Sequence, residues 1–355
     1  MRQFILLFRS ELRRIWRDKT YFALLLILPT LSLLFFVCYF SGSGIRELPI
    51  AVVDNSKSNL SNKLVEMIDA TASSKVCYTA SNNMEALSLI RRGRVYAAVI
   101  IPHSFEADIV SGVTTKVALY NSGANISTNG FIAKDIQSVV TTFGAGIELQ
   151  RGATLAEVMP IKFNKHILFN PYLNYAYYIA PCFMSMMTMI FTLLATVYAV
   201  AERRCSSATE LMSRVAPTTL IMSIFSLITL LVLFRILGVP LVGSKWAIVF
   251  STLLFIVVYQ AIAILFVGIT KSRHFSLSLG GGYSVLAFTF SGLTFPTMAM
   301  FPPLKWASYL FPFTYYMDVL VDQTLRGSSS INTIESIGYM SLFLLLPLLI
   351  RKRLC

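Results

Sequence analysis

Apolar and polar positions in this chain fall into blocks. Residues 21–40 carry no charge, and a run of that length crosses roughly 30 Å of hydrocarbon as a helix. Pro29 is expected to kink it. Further apolar runs follow at 177–201, 219–237, 246–269, 275–295 and 337–350. The last is short, and with it the tally is about six transmembrane helices. Between the first and second runs the pattern changes at Ser41-Gly42-Ser43-Gly44. Residues 45–170 read as a soluble domain. The pattern predicts strands at 48–53, 76–79, 96–101, 116–120 and 165–169. It predicts helices at 59–70, 83–92 and 124–150, with a short one after Pro102. Strands alternating with helices imply an α/β domain. The fold class is therefore a polytopic α-helical membrane protein with an inserted α/β extracytoplasmic domain.

Residues 1–20 differ from both blocks. Phe4, Leu7, Phe8, Leu12 and Trp16 recur every three or four positions among Arg2, Arg9, Arg13, Arg14, Arg17 and Lys19. An apolar stripe on a basic helix belongs in the membrane interface. A signal-peptide n-region would be shorter and would lead to a small-residue cleavage site, which is missing here.

Composition agrees with this picture. The chain is 55% hydrophobic and 13% charged, against about 25% charged in soluble domains. The net charge of +13 raises nucleic acid as a partner, but its placement argues for anionic headgroups instead. The segments before the first span, between the second and third, between the fourth and fifth, and after the sixth hold 14 Lys or Arg. These include Arg203, Arg204, Arg214, Lys271, Arg273, Arg351, Lys352 and Arg353. The short loops on the other side hold three, Lys245, Lys305 and Arg326. Positive residues stay inside, so both termini are expected in the cytoplasm, with the α/β domain outside.

Candidate chemistry is sparse. Cys38, Cys77, Cys182, Cys205 and Cys355 form no CxxC pair and no disulfide framework. His103, His166 and His274 lack metal-ligand spacing. No G-x-x-x-x-G-K followed by Ser or Thr is present, so nucleotide phosphate cannot be cradled by that route. HExxH and G-x-S-x-G are missing too, and the spans carry almost no ionisable group beyond Arg235. An ion-coupled carrier needs such groups at mid-membrane. No catalytic, metal or cofactor-binding residue is therefore assigned.

Three segments invite a second reading. At 202–217, Glu202, Arg203, Glu210, Leu211 and Met212 with Ser/Thr caps suggest a short amphipathic helix able to dock a cytoplasmic partner. A plain positive-inside loop would explain the arginines equally. In the second span, Met184, Met186, Met187 and Met189 suit either ordinary packing or an adaptable pathway surface. Gly280, Gly281 and Gly282 in the fifth span permit close helix approach. At 296–327, Pro296, Pro302, Pro303 and Pro312 alternate with Trp306, Tyr309, Phe311, Phe313, Tyr315 and Tyr316, which suggests a segment that enters the outer leaflet and returns. Asp318, Asp322 and Arg326 recur every four residues. They can pair on one helix face or simply form a solvated one.

Together these features resemble the ABC-2 type transporter permeases, the membrane subunits of ATP-driven exporters, over nearly the whole chain. Glu11-Leu12-Arg13-Arg14 with Trp16-Arg17-Asp18-Lys19 is similar to that family's elbow helix. Leu48-Pro49-Ile50-Ala51-Val52-Val53-Asp54-Asn55, and Arg94 through Pro102 with Phe105, resemble strands of its external domain. Pro312-Phe313-Thr314-Tyr315-Tyr316 through Arg326-Gly327 resembles its re-entrant segment. Glu202, Arg203, Glu210, Leu211 and Pro217 resemble its coupling helix, although Arg204 replaces a second acid and Ser207-Ala208 replaces Gly-Thr.

The resemblance implies a permease that binds no cofactor itself. A separate ABC ATPase subunit, carrying ATP and Mg, would dock on Glu202, Arg203, Glu210, Leu211 and Met212. A second permease copy or paralogue would pair with it, with Met184, Met187, Gly280, Gly281 and Gly282 at the shared pathway or interface. Pro312, Tyr315, Asp318 and Arg326 would mark the re-entrant segment. The substrate would be amphipathic, lipid-like or drug-like, and a periplasmic adaptor is a further candidate partner. The rival readings are a membrane-anchored receptor or envelope assembly protein acting through its external domain, and an intramembrane lipid-modifying enzyme. Five further spans exceed what anchoring needs, and an enzyme would require a cluster of acids or histidines at one face.

Overall fold

Polar residues decide where the apolar helices begin and end. The computed structural model describes residues 2–41, 47–122, 126–152, 174–202, 207–293, 296–327 and 330–350. The chain divides into two compact units, Met1–Gly44 with His166–Cys355, and Ile45–Lys165. The expected strand at 165–169, and Arg203, Arg204 and residues 351–353, lie outside the described residues.

Helix α1 spans Arg2–Arg17. Asp18 then caps a second helix, accepting from the amides of Thr20 at 3.0 Å and Tyr21 at 3.2 Å, which satisfies two donors a new helix leaves open. That helix, α2, runs over Lys19–Ser41 and contains one π turn at Ala23–Ile27. Of the expected apolar stripe of α1, Phe4, Leu7, Phe8 and Leu12 are half-buried, and the stripe departs at its last member. Ile15 is fully buried and Trp16 is exposed, its ring tilted against Phe22 at 5.2 Å. Ile15 shares a face with Glu11, also buried, because residues four apart lie above one another on a helix.

The second unit holds a four-stranded sheet in the order β2-β1-β3-β4. Its elements are β1 Leu48–Asp54, α3 Asn59–Asp69, β2 Ser74–Thr79, α4 Asn83–Arg91, β3 Ala97–Ile101, α5 Phe105–Val110, β4 Ala118–Asn121 and α6 Ile126–Gln150. β1 pairs in parallel with β2 and β3, and β3 pairs antiparallel with β4. β1 and β3 are covered on both faces, so they read as nearly continuous apolar runs. Ile50, Val52, Val99 and Ile101 pack under α3, α5 and α6 with Leu64, Ile68, Phe105 and Ile132. Ala51, Val53, Ala98 and Ile100 face Ala86 of α4.

The first unit resumes with α7 Tyr175–Val200, α8 Ala208–Arg235, α9 Lys245–Thr270, α10 Arg273–Thr289, α11 Pro302–Ser308, α12 Pro312–Val321 and α13 Ser330–Leu342. Among the described residues, four helices, α2, α7, α8 and α9, are long and apolar enough to cross a membrane. The expected fifth span is shorter than its apolar run. α10 has 17 residues, and the chain leaves it through Gly292 at φ +86°, a backbone state that glycine adopts without steric cost. The run at 337–350 is also divided. Its first half ends α13, and Phe343–Ile350 is a 3-10 stretch containing Pro347, which cannot donate to a helical carbonyl.

Pro217 was expected to close a separate short helix. Instead α8 passes through it. Ser213, Val215, Pro217, Thr218 and Met222 are all buried, so the packed face is unbroken on both sides of the proline and offsets one lost hydrogen bond.

Several buried hydroxyls inside these helices are satisfied within their own helix. Ser185, Thr188, Thr196, Thr252 and Ser284 each donate to the carbonyl four residues earlier. Gln323 makes several long-range polar contacts. Its side-chain carbonyl accepts from the Ser244 amide at 2.6 Å, its amide group donates to Thr333 at 2.7 Å, and its backbone carbonyl accepts from Gly243 at 2.9 Å. Replacing it by Leu leaves the Ser244 amide and the Thr333 hydroxyl without this partner. The expected cost is about 1–3 kcal/mol, read as a lowered melting temperature in detergent. An unchanged melt would show that these bonds do not stabilise the unit.

Candidate coupling site

Four helices meet where α7 turns into α8. Glu202 lies just beyond the end of α7, one residue past its C-cap Ala201. Its carboxylate accepts from Arg14 of α1 and from Arg273, the first residue of α10. Arg14 also reaches Glu11 at 3.0 Å. Each charge is badly placed alone. A carboxylate at a helix C-terminus and a cation at a helix N-terminus both oppose the helix dipole. Pairing Glu202 with Arg273 cancels both penalties.

Aromatic rings support the charges. The Arg14 guanidinium stands 5.6 Å from the Tyr21 ring and 5.9 Å from the Tyr198 ring, and that of Arg273 stands 5.1 Å from Tyr198. The two tyrosine rings lie 5.2 Å apart. Tyr198 donates to Asp18 at 2.8 Å, and the Tyr21 hydroxyl meets Thr218 of α8 at 2.8 Å. Desolvation opposes ionisation of Asp18. The hydrogen bonds from Tyr198 and from the Tyr21 and Thr20 amides, with the nearby Arg14 charge, outweigh it and hold the carboxyl below its ordinary value. Its contribution is thus present above the usual carboxylate range and is lost as pH falls through the lowered value.

The expected docking residues separate into two groups. Glu210 is held inside the chain: it pairs with Arg214, and its amide is capped by Ser207 at 3.2 Å. Leu211 packs partly into the cluster formed by Ile15, Tyr21, Tyr198 and Val215. Met212 points outward, 65% exposed. Arg203 lies outside the described residues. Arg14, Asp18, Tyr21, Tyr198, Thr218 and Arg273 were missed as site residues. The only signal for them was an acid, Glu202, set beside an arginine-rich run.

The expected pathway residues do not gather on one surface. Met184 and Met189 are buried in the unit's own core, and Met187 packs partly against the cluster around Tyr21 and Phe191. A Cβ on Gly280 would collide with Leu193, whereas Gly281 and Gly282 face open space. Met184 and Gly280 therefore serve packing between α7 and its neighbours, because α7 is central to the unit. In the 296–327 segment, Pro302 and Pro312 each begin a helix, where a missing amide costs nothing. Tyr315 donates to the Tyr309 carbonyl at 3.0 Å. Arg326 pairs with Asp322 at 3.1 Å, within a π turn closed by Gly327 at φ +61°. Asp318, one turn earlier, is exposed.

The described architecture is that of a polytopic helical membrane protein carrying a sheet-containing unit between its first two membrane helices. Residues 19–350 match the family described as ABC-2 family transporter protein, and the chain belongs to that family. It is an ABC-2 type permease. It is also 21% identical to proteins named probable multidrug ABC transporter permease YbhS in Escherichia coli strain K12 and in Escherichia coli O157:H7, over 93% of this chain and 90% of each relative.

Two measurements test the site. In a double-mutant cycle on the detergent-solubilised chain, Arg14→Ala and Glu202→Ala should show a coupling of about 0.5–1.5 kcal/mol; strict additivity would mean the pair adds nothing to stability. Met184→Ala should cost about 2 kcal/mol or more through the cavity it leaves, and a variant as stable as the parent would contradict its place in the core.

Proposed function

We propose that this chain is the permease subunit of an ABC exporter in a bacterial inner membrane. It pairs with a second permease, a copy or a paralogue, and works with separate ATPase subunits that bind ATP and Mg. The chain crosses the membrane six times, α10 and α13 with its 3-10 extension completing the set. Both termini are cytoplasmic, and the sheet-containing unit lies on the other side. α1 rests in the inner headgroup layer, with Ile5, Leu6 and Trp16, all exposed, towards lipid.

The observation that carries this reading is the junction at Glu202. An ATPase seated on the turn between α7 and α8 would press on the one carboxylate tied to both α1 and α10. Its movement would reach the interfacial helix and the fifth span together. A permease with no phosphate-binding loop of its own requires such a joint to receive work from outside. The relatives named as multidrug permeases support an amphipathic, drug-like substrate.

Met212, in the first turns of α8, is exposed and apolar and so is the contact offered to the ATPase, while Glu210 holds that helix end in shape. Met212→Asp should reduce co-purification of the ATPase severalfold and leave the melting temperature of the permease unchanged. Glu210→Arg should weaken docking and lower the melting temperature together. ATPase recovery equal to the parent in both variants would defeat the proposal.

A further inference from the structure

Where α7, α8, α9 and α12 meet, hydroxyls interrupt the apolar core of the membrane unit. Ser185 and Thr188 of α7, Ser226 and Thr229 of α8, Thr252 of α9 and Tyr316 of α12 line one cavity of about 10 Å³. All six side chains are buried. That space is about what one water molecule needs, so an organic ligand is too large for it.

The protons of these hydroxyls decide what the cavity accepts. Ser185 donates to the Pro181 carbonyl at 2.6 Å, Thr188 to Met184 at 3.0 Å and Thr252 to Ile248 at 2.7 Å. On α8, Ser226 donates to Ser223 at 2.9 Å and Thr229 to Phe225 at 3.0 Å. A hydroxyl carries one proton and two lone pairs. Because the Thr252 proton is spent on Ile248, Tyr316 is the donor in its 3.0 Å contact with Thr252. Oxygens from four helices are left with lone pairs to offer, and an occupant must donate. Among the described residues, none that lines the cavity carries a charge. A cation there would have no counter-ion to offset its desolvation. What fits is a neutral donor of one oxygen's size.

We propose that this cavity is the site of one structural water. It donates one proton to a hydroxyl of α8 and the other to a hydroxyl of α7, α9 or α12, and so ties α8 to the helices packed around it. The site is distinct from the coupling junction, and its occupancy requires neither ATPase nor transport.

The test is X-ray radiolytic footprinting of the full chain in lipid nanodiscs, read by mass spectrometry. Radiolysis of a water held beside a buried ring oxidises that ring in place. Tyr259 is the internal control, since it is fully buried and does not line the cavity. Tyr316 should be oxidised at least fivefold faster than Tyr259. Thr188→Val with Thr229→Val keeps the shape of the wall and removes two acceptors, and should lower Tyr316 oxidation at least threefold. If that variant proves protease-sensitive, the ratio of Tyr316 to Tyr259 in the parent decides. Replacing sodium by choline in the buffer should leave Tyr316 oxidation unchanged. Equal oxidation of the two tyrosines would mean a dry cavity and overturn the assignment. So would unchanged Tyr316 oxidation in a folded double variant, or oxidation that rises in choline, which would mean that sodium occupies the site.

Discussion

The membrane unit depends on one carboxylate that balances two arginines. Glu202 lies 188 residues from Arg14 and 71 from Arg273, yet the pairing gathers the start of α10, the end of α7 and the last turns of α1. The side chains are 18–35% exposed, so solvent screens them. Such pairs contribute a few tenths of a kcal/mol to about 1 kcal/mol each. The tyrosine faces add about 0.5–1 kcal/mol for each stacked cation. A junction of this strength holds a resting geometry and can still be displaced by a partner's binding energy. A deeply buried pair would resist more, at a larger desolvation cost.

Elsewhere in the unit, many serines and threonines return to their own backbone, and single bonds such as Thr219–Gln260 and Thr252–Tyr316 link neighbouring helices. Gln323 does more: it joins positions 243–244 and 333 to the start of the π turn. Two long-range polar anchors therefore stand out in this unit. One fixes the turn between α7 and α8, and the other fixes the loop between α8 and α9 against the segment after α12.

Much of the architecture could be read from the chain, because apolar runs and strand-period alternation are local signals. The ends were less legible. Gly292 and Pro347 shortened two helices, and Pro217 failed to stop one, since only the packing around a proline decides whether its lost bond is offset. Three residues expected at a docking surface, Glu202, Leu211 and Met212, proved to have three different surroundings: a charge junction, a packed core and open solvent. Spacing could not separate them, because the distinction depends on α1 and α10, which come from far along the chain. The methionines left two readings open for a related reason. Composition allows either packing or an adaptable surface, and only the central position of α7 shows that Met184 is enclosed within the unit.

The glycine triplet shows how the junction and the packing act together. Of the three, Gly280 alone requires the absence of a side chain, and it requires it against Leu193 of α7. Arg273 precedes Gly280 by two turns, about 10 Å along the axis, and Leu193 precedes Glu202 by about 13 Å of helix. The two contacts therefore run in antiparallel register along the same pair of helices, one electrostatic at the end and one steric further in. Under the proposed docking, a push on the α7–α8 turn would meet α10 first at Arg273, where the bond is screened and yielding. It would be resisted at Gly280, where backbone and side chain already touch. α10 would then act as a lever, with a soft handle at its first residue and a hard fulcrum two turns along.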